Sequence, residues 1–208
     1  KSLVLLKNDR GVLPLPRTPG KLFVTGVNAA SADALLANYY GVNDRLVTVL
    51  EGIVGRAPAT TIVEYRAGCL LDQEKHNPAD WVSGEAEHAD ATIAVLGLTG
   101  MFEGEEGESL LTRAQGDKDT LELPACQVEF LRKLRTANKP LVLVLTGGSP
   151  VIVPEDLADA ILWIWYPGQE GGNAVAEVLF GDHAPAGRLP LTFPKSLDQL
   201  PPFTDYAI

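Results

Sequence analysis

The chain is 208 residues long and carries 27 acidic against 17 basic side chains, a net charge of −10, with 46% hydrophobic and 21% charged residues. That is the balance of a folded chain able to bury a core without cross-links. It has no basic stripe to displace counterions from nucleic acid and no apolar run near the roughly 20 residues of a membrane span; two cysteines, Cys69 and Cys126, make neither a disulfide framework nor a multi-cysteine zinc site.

In chain order, Leu3 to Leu6, Asp9-Arg10-Gly11 and Val12 to Leu15 suggest a small hairpin-like lead-in. Leu22 to Val27 reads as a buried strand that ends in a turn at Gly26. Thr48 to Arg56 has a helical pattern with Val49, Leu50 and Ile53 facing inward. Thr61 to Tyr65 is a strand candidate, Glu85 to Ala89 a short helix, and Thr92 to Leu96 a strand. Pro124 opens a helix whose inner face is Val128, Leu131 and Leu134. Leu141 to Leu145 is uninterrupted in apolar character, as a strand covered on both sides should be. Ala160 to Tyr166 is the last strand, and Asn173, a candidate cap, begins a helix that runs to Phe180 and stops at Gly181. Strands spaced by helices predict an α/β fold, a three-layer α/β/α sandwich with a mostly parallel sheet, forming one domain over residues 1–208. The proline-rich stretch from Gly187 to Ile208 should run extended over the surface, and both thiols should be free and buried. Lys1-Ser2-Leu3 does not look like a natural start, so a larger parent protein is expected.

About two dozen residues separate Leu98 from Pro124, more than an ordinary connection needs. This loop leaves the carboxyl end of a strand, where open parallel sheets bind ligands. It holds the acidic run Glu103-Gly104-Glu105-Glu106-Gly107-Glu108. Clustered carboxylates disfavour one another's ionisation, so one could serve as a general acid. The run lacks the Asp/Asn alternation of a calcium loop, and a solvated acidic loop is the bland alternative. With few apolar groups to bury, the loop is expected to be poorly anchored in the domain alone.

Other motifs favour bland readings. The turn after Thr25 lacks the dinucleotide fingerprint, and Gly147-Gly148-Ser149-Pro150 reads as a turn and no more. His76, His88 and His183 have no ligand-like spacing, and Ser149 lies in no nucleophile elbow, so neither a metal nor an organic cofactor is implied.

Taken together, Ser2-Leu3-Val4-Leu5-Leu6-Lys7-Asn8, Leu13-Pro14-Leu15, Asn38-Tyr39-Tyr40-Gly41, Thr48 to Ile53, Trp165 to Asn173, Val178 to Asp182 and Gly187 to Pro194 occur in the order found in family 3 glycoside hydrolases. The chain resembles the second, C-terminal α/β sandwich domain of that family along almost its whole length. The resemblance implies a β-glucosidase- or β-xylosidase-like enzyme that hydrolyses β-glycosides from the non-reducing end with retention. It implies an N-terminal barrel domain, absent from these residues, that carries an aspartate nucleophile. The loop from Gly97 to Glu106 resembles the version in which an apolar residue precedes Glu-Gly-Glu-Glu; the acid/base role carries first to Glu103 and second to Glu106. Where the family commonly has Gly-Asp-Arg, this chain has Gly116-Asp117-Lys118, which keeps the charge but loses the bidentate fork. The implied partners are a β-linked oligosaccharide or glycoside and the barrel, with β-xyloside slightly favoured over β-glucoside; a periplasmic or secreted location fits that role. A stand-alone doubly wound ligand-binding domain and a non-catalytic scaffold of the same enzyme remain the alternatives.

Overall fold

The computed structural model describes residues 1–74, 80–104, 109–112, 116, 118–202 and 204–205. Among the described residues six strands form one sheet: β1 (Val4–Asn8), β2 (Lys21–Thr25), β3 (Ile62–Arg66), β4 (Ala91–Gly97), β5 (Leu141–Thr146) and β6 (Ala160–Trp165), in the spatial order β1-β6-β5-β4-β2-β3. β2, β3, β4, β5 and β6 are parallel, and β1 alone runs antiparallel, against β6. The described residues also form the α-helices that cover the sheet, α1 (Val49–Arg56), α2 (Val82–His88), α3 (Ala125–Arg135) and α4 (Gly171–Leu179).

Alternation along the strands sorts the core into two layers. Leu22, Val24, Ile93, Val95, Val142, Val144, Leu162 and Ile164 pack with Val49 and Ile53 of α1 and Val175 and Leu179 of α4. Phe23, Ala94, Leu96, Leu143, Leu145 and Trp163 pack with Val82 and Ala86 of α2 and Phe130, Leu131 and Leu134 of α3. The chain therefore folds as the expected three-layer sandwich.

Local chemistry sets the helix ends. Thr48 and Glu51 form a reciprocal capping box at α1: the Glu51 amide donates to Thr48 Oγ1 at 3.3 Å, and the Thr48 amide to Glu51 Oε2 at 2.8 Å. α1 and α4 then meet at glycines, because a Cβ on Gly52 would run into the Gly172 backbone and one on Gly172 into the backbone of Val47 and Thr48. Gly172 is already helical for this reason, and α4 starts two residues before Asn173. Asn173 is thus not the cap; its side-chain amide donates to the carboxylate of Glu170, the residue at that position.

Two further expectations are corrected. The first segment does not form a hairpin: Val4–Asn8 pairs with β6, far along the chain, and Val12 to Leu15 is not a strand. Neither cysteine is in a disulfide; Cys69 is buried as expected, but Cys126 is only partly buried. Among the described residues no helix is long and apolar enough to cross a membrane, and no group of three or more His, Cys, Asp or Glu could hold a metal ion.

These contacts set two expectations for stability. Gly172→Ala should cost about 3 kcal/mol in urea unfolding, since the clash is with backbone that no rotamer change relieves. Asp90 Oδ2 accepts the Gly20 and Lys21 amides at 2.7 and 3.0 Å, which ties the start of β2 to that of β4. The Lys21 amide first, then that of Gly20, hold its carboxyl below the usual aspartate range. A lowered folded-state value contributes stability above the unfolded value and loses it as pH falls. The urea midpoint should therefore drop below about pH 4, and less steeply in Asp90→Asn.

Candidate functional site

Strands β2, β4, β5 and β6 point the same way, and the segments leaving their carboxyl ends converge on one residue, Glu103. It belongs to the long connection between β4 and α3. Its Oε2 accepts the Gly148 amide at 2.7 Å and the Tyr166 hydroxyl; its Oε1 accepts the Ser149 amide at 2.9 Å and the Ser149 hydroxyl. Gly148 and Ser149 follow β5, and Tyr166 follows β6. Lys118 Nζ stands 3.6 Å from Oε1 and also donates to the Pro150 carbonyl at 3.1 Å. From the segment after β2, the Asn38 side-chain amide donates to the Glu103 main-chain carbonyl at 2.6 Å.

A carboxylate offers about four lone-pair positions, and here each oxygen accepts two hydrogen bonds. The side chains of Glu103 and Lys118 are only 11% and 13% exposed, so the pair is held largely out of water. Burial first, then the adjacent Glu103 charge, pushes the Tyr166 phenol far above the usual tyrosine range, and it stays a donor at any working pH. Burial pulls the Lys118 ammonium down, with the Glu103 charge acting against it. Trp165, just before Tyr166, takes a left-handed backbone at φ 60, an outlier for a bulky residue. Strain of this kind persists where surrounding structure over-determines it, and such positions cluster at functional sites.

The two sequence candidates fare differently. Glu103 lies at the carboxyl edge of the sheet, as its loop implied. Glu106 falls outside the described residues, as does Asp117. The described parts of the loop are anchored, against expectation. Phe102 and Leu123 are buried in the α2–α3 core layer, Leu111 packs against it, the Leu111 amide donates to the Met101 carbonyl at 3.0 Å, and the Ile152 amide to that of Leu121 at 2.7 Å. Lys118, where the family commonly has arginine, anchors the described part of the loop through a single ammonium group. Gly148, Ser149 and Tyr166 were missed. The signal was faint: a Gly-Gly-Ser-Pro turn at a strand's carboxyl end offers free amides, but only a loop folded back from β4 reveals what they bind.

The other candidates recede. Amides at the Gly26 turn are already bonded, Gly26 to the Ala67 carbonyl, Asn28 to Val95 and Ala29 to Gly26, so no nest remains there for a phosphate. Gly26 itself needs φ +101 and lies too close to Val95 for any side chain. A groove of about 1280 Å³ beside α3, bordered by Cys69, Lys118 and Cys126, does not include Glu103.

Residues 3–207 match the profile of the Glycosyl hydrolase family 3 C-terminal domain, and the chain belongs to that family. It is 34% identical to a periplasmic β-glucosidase of Salmonella typhimurium over 97% of its own length and 28% of that protein's. It is 45% identical to a xylan 1,4-β-xylosidase of Xylanibacter ruminicola over 71% of the chain and 18% of the relative. Among solved structures, a β-glucosidase from Erythrobacter marinus superimposes with a TM-score of 0.82 at 32% identity, covering 96% of this chain and 29% of that one. A family 3 exo-β-xylosidase bound to a xylobiose aziridine probe gives 0.77 at 31% identity, covering 90% and 23%. The chain thus spans about a quarter of the length of most of these relatives.

Lys118→Met should lower stability by about 3 kcal/mol in urea unfolding, because it leaves a largely buried carboxylate without its counter-charge. A loss below about 0.5 kcal/mol would mean that the hydrogen bonds alone hold Glu103.

Proposed function

We propose that this chain is the second domain of a retaining exo-β-glycosidase acting on β-xylosides or β-glucosides, and that its β4–α3 loop supplies the acid/base to a cleft shared with a preceding barrel domain. The observation that carries this reading is Glu103, which opens a glutamate-rich stretch of sequence, seated at the carboxyl edge of the sheet in a chain of this family. Exposed apolar side chains at Tyr39, Tyr40, Val42, Met101 and Leu110, in the segments that adjoin Glu103, support a surface meant to be covered. The relatives' greater length supports a partner domain, and the name of the Salmonella relative supports a periplasmic or secreted location.

Retention needs two carboxyl groups about 5–5.5 Å apart. A barrel aspartate would attack the anomeric carbon while a loop glutamate protonates the departing oxygen; the same glutamate would then deprotonate the water that releases the sugar. Glu103 and Glu106 are the candidates for that glutamate. General acid–base assistance contributes about 10²–10⁴-fold. Activated aryl glycosides need little protonation in the first step, so loss of the acid spares it.

The test is a set of single glutamine variants at Glu103, Glu105, Glu106 and Glu108 in the full-length protein, assayed on aryl β-xylosides and β-glucosides. One variant should lose about 10²–10⁴-fold on poor leaving groups, much less on activated ones, and be partly rescued by azide. If none does so while the wild type turns over, the loop is a scaffold. The 208-residue chain alone should show no turnover, since it would hold at most one of the two carboxyl groups.

A further inference from the structure

We propose that Glu103 is a positioning residue and not the proton donor: its carboxylate is the peg that fixes the start of the β4–α3 loop at the strand ends. The inference rests on the glycosidase reading and decides between that reading's candidates.

A proton donor must present a carboxyl O–H to the glycosidic oxygen. Both Glu103 oxygens instead face inward, onto donors from two other segments of the chain. Two of those donors are backbone amides, which can never accept, and the third and fourth are hydroxyls of Ser149 and Tyr166. To reach a sugar, the side chain would have to abandon every one of these bonds and strip the Gly148 and Ser149 amides of their acceptor. A hydrogen bond to a charged group contributes about 1.5–3 kcal/mol, and several would be given up together.

The donors are themselves fixed. Lys118 bridges Glu103 and the Pro150 carbonyl, which locks the loop to the segment after β5. A Cβ on Gly148 would come within 3.1 Å of the Tyr166 ring and 3.4 Å of Glu103 Oε2, so the cradle closes tightly around the carboxylate. Asn38 holds the Glu103 main chain from the other side. Such an arrangement orders the start of the loop and takes the Glu103 carboxylate out of the candidates for proton donor.

Glu103→Gln in the full-length enzyme tests this directly, since it sets an NH₂ donor against a backbone amide that cannot accept. The expected result is a fall in kcat/KM of about 10–100-fold, by the same factor for activated and poor leaving groups, with no rescue by azide and an unshifted basic limb of the pH–rate profile. Tyr166→Phe, a milder change that keeps the ring, should fall about 3–10-fold with the same lack of leaving-group dependence. Adding it to Glu103→Gln should cost little more, because both remove one function. Amide exchange at Gly148 and Ser149 reads the cradle whatever the substrate, and should quicken at least tenfold in Glu103→Gln. A loss confined to poor leaving groups and restored by azide would overturn the proposal, as would unchanged exchange at those amides. A full-length wild type that hydrolyses no β-glycoside would defeat the glycosidase reading while the exchange result still judged the peg.

Discussion

A carboxylate taken out of water needs a hydrogen-bond donor for each of its lone pairs, and meeting that need for Glu103 organises the carboxyl edge of this sheet. The connection after β4 supplies the acceptor and the lysine, the segment after β5 two amides and a hydroxyl, and the residue after β6 a phenol. None of these segments has regular structure of its own at the site. Each is positioned by a strand buried on both faces, so the rigidity of the sheet reaches the loop through polar contacts. The arrangement has its cost in a left-handed Trp165 and a largely buried lysine.

Behind the site, the sandwich depends on close approach of backbone to backbone. α1 and α4 touch through Gly52 and Gly172, and the capping box of Thr48 sits at that contact. This packing carries the chain from β6 directly into α4, with Tyr166 on the bend between them. The motif from Trp165 to Asn173 therefore joins fold and site in one short stretch: a tryptophan that turns the chain, a tyrosine that holds Glu103, and glycines that let two helices meet.

Much of this was legible in the sequence and some could not have been. Continuous apolar runs such as Leu141 to Leu145 announce strands covered on both sides, and the spacing of Leu131 and Leu134 announces α3, because both signals are local. The pairing of Val4–Asn8 with β6 is not local, and a turn-like Asp9-Arg10-Gly11 made a neighbour in sequence look like its partner. Asn173 had the chemistry of a cap, but the Gly172 contact with the residues before α1 moved the helix start upstream. For the site, the acidic loop stood out through its length and charge. Its binding partners did not, since Gly148, Ser149 and Tyr166 are ordinary residues that become a cradle only when three segments far apart in sequence come together.

The most direct measurement is a crystal structure of the full-length protein with a glycoside-mimicking inhibitor in its cleft. If Glu103 is the peg, its carboxylate keeps the hydrogen bonds to the Gly148 and Ser149 amides and to Tyr166, while another carboxylate of the same loop lies within about 3 Å of the glycosidic oxygen position. A Glu103 side chain swung out of the cradle and onto the inhibitor would contradict it.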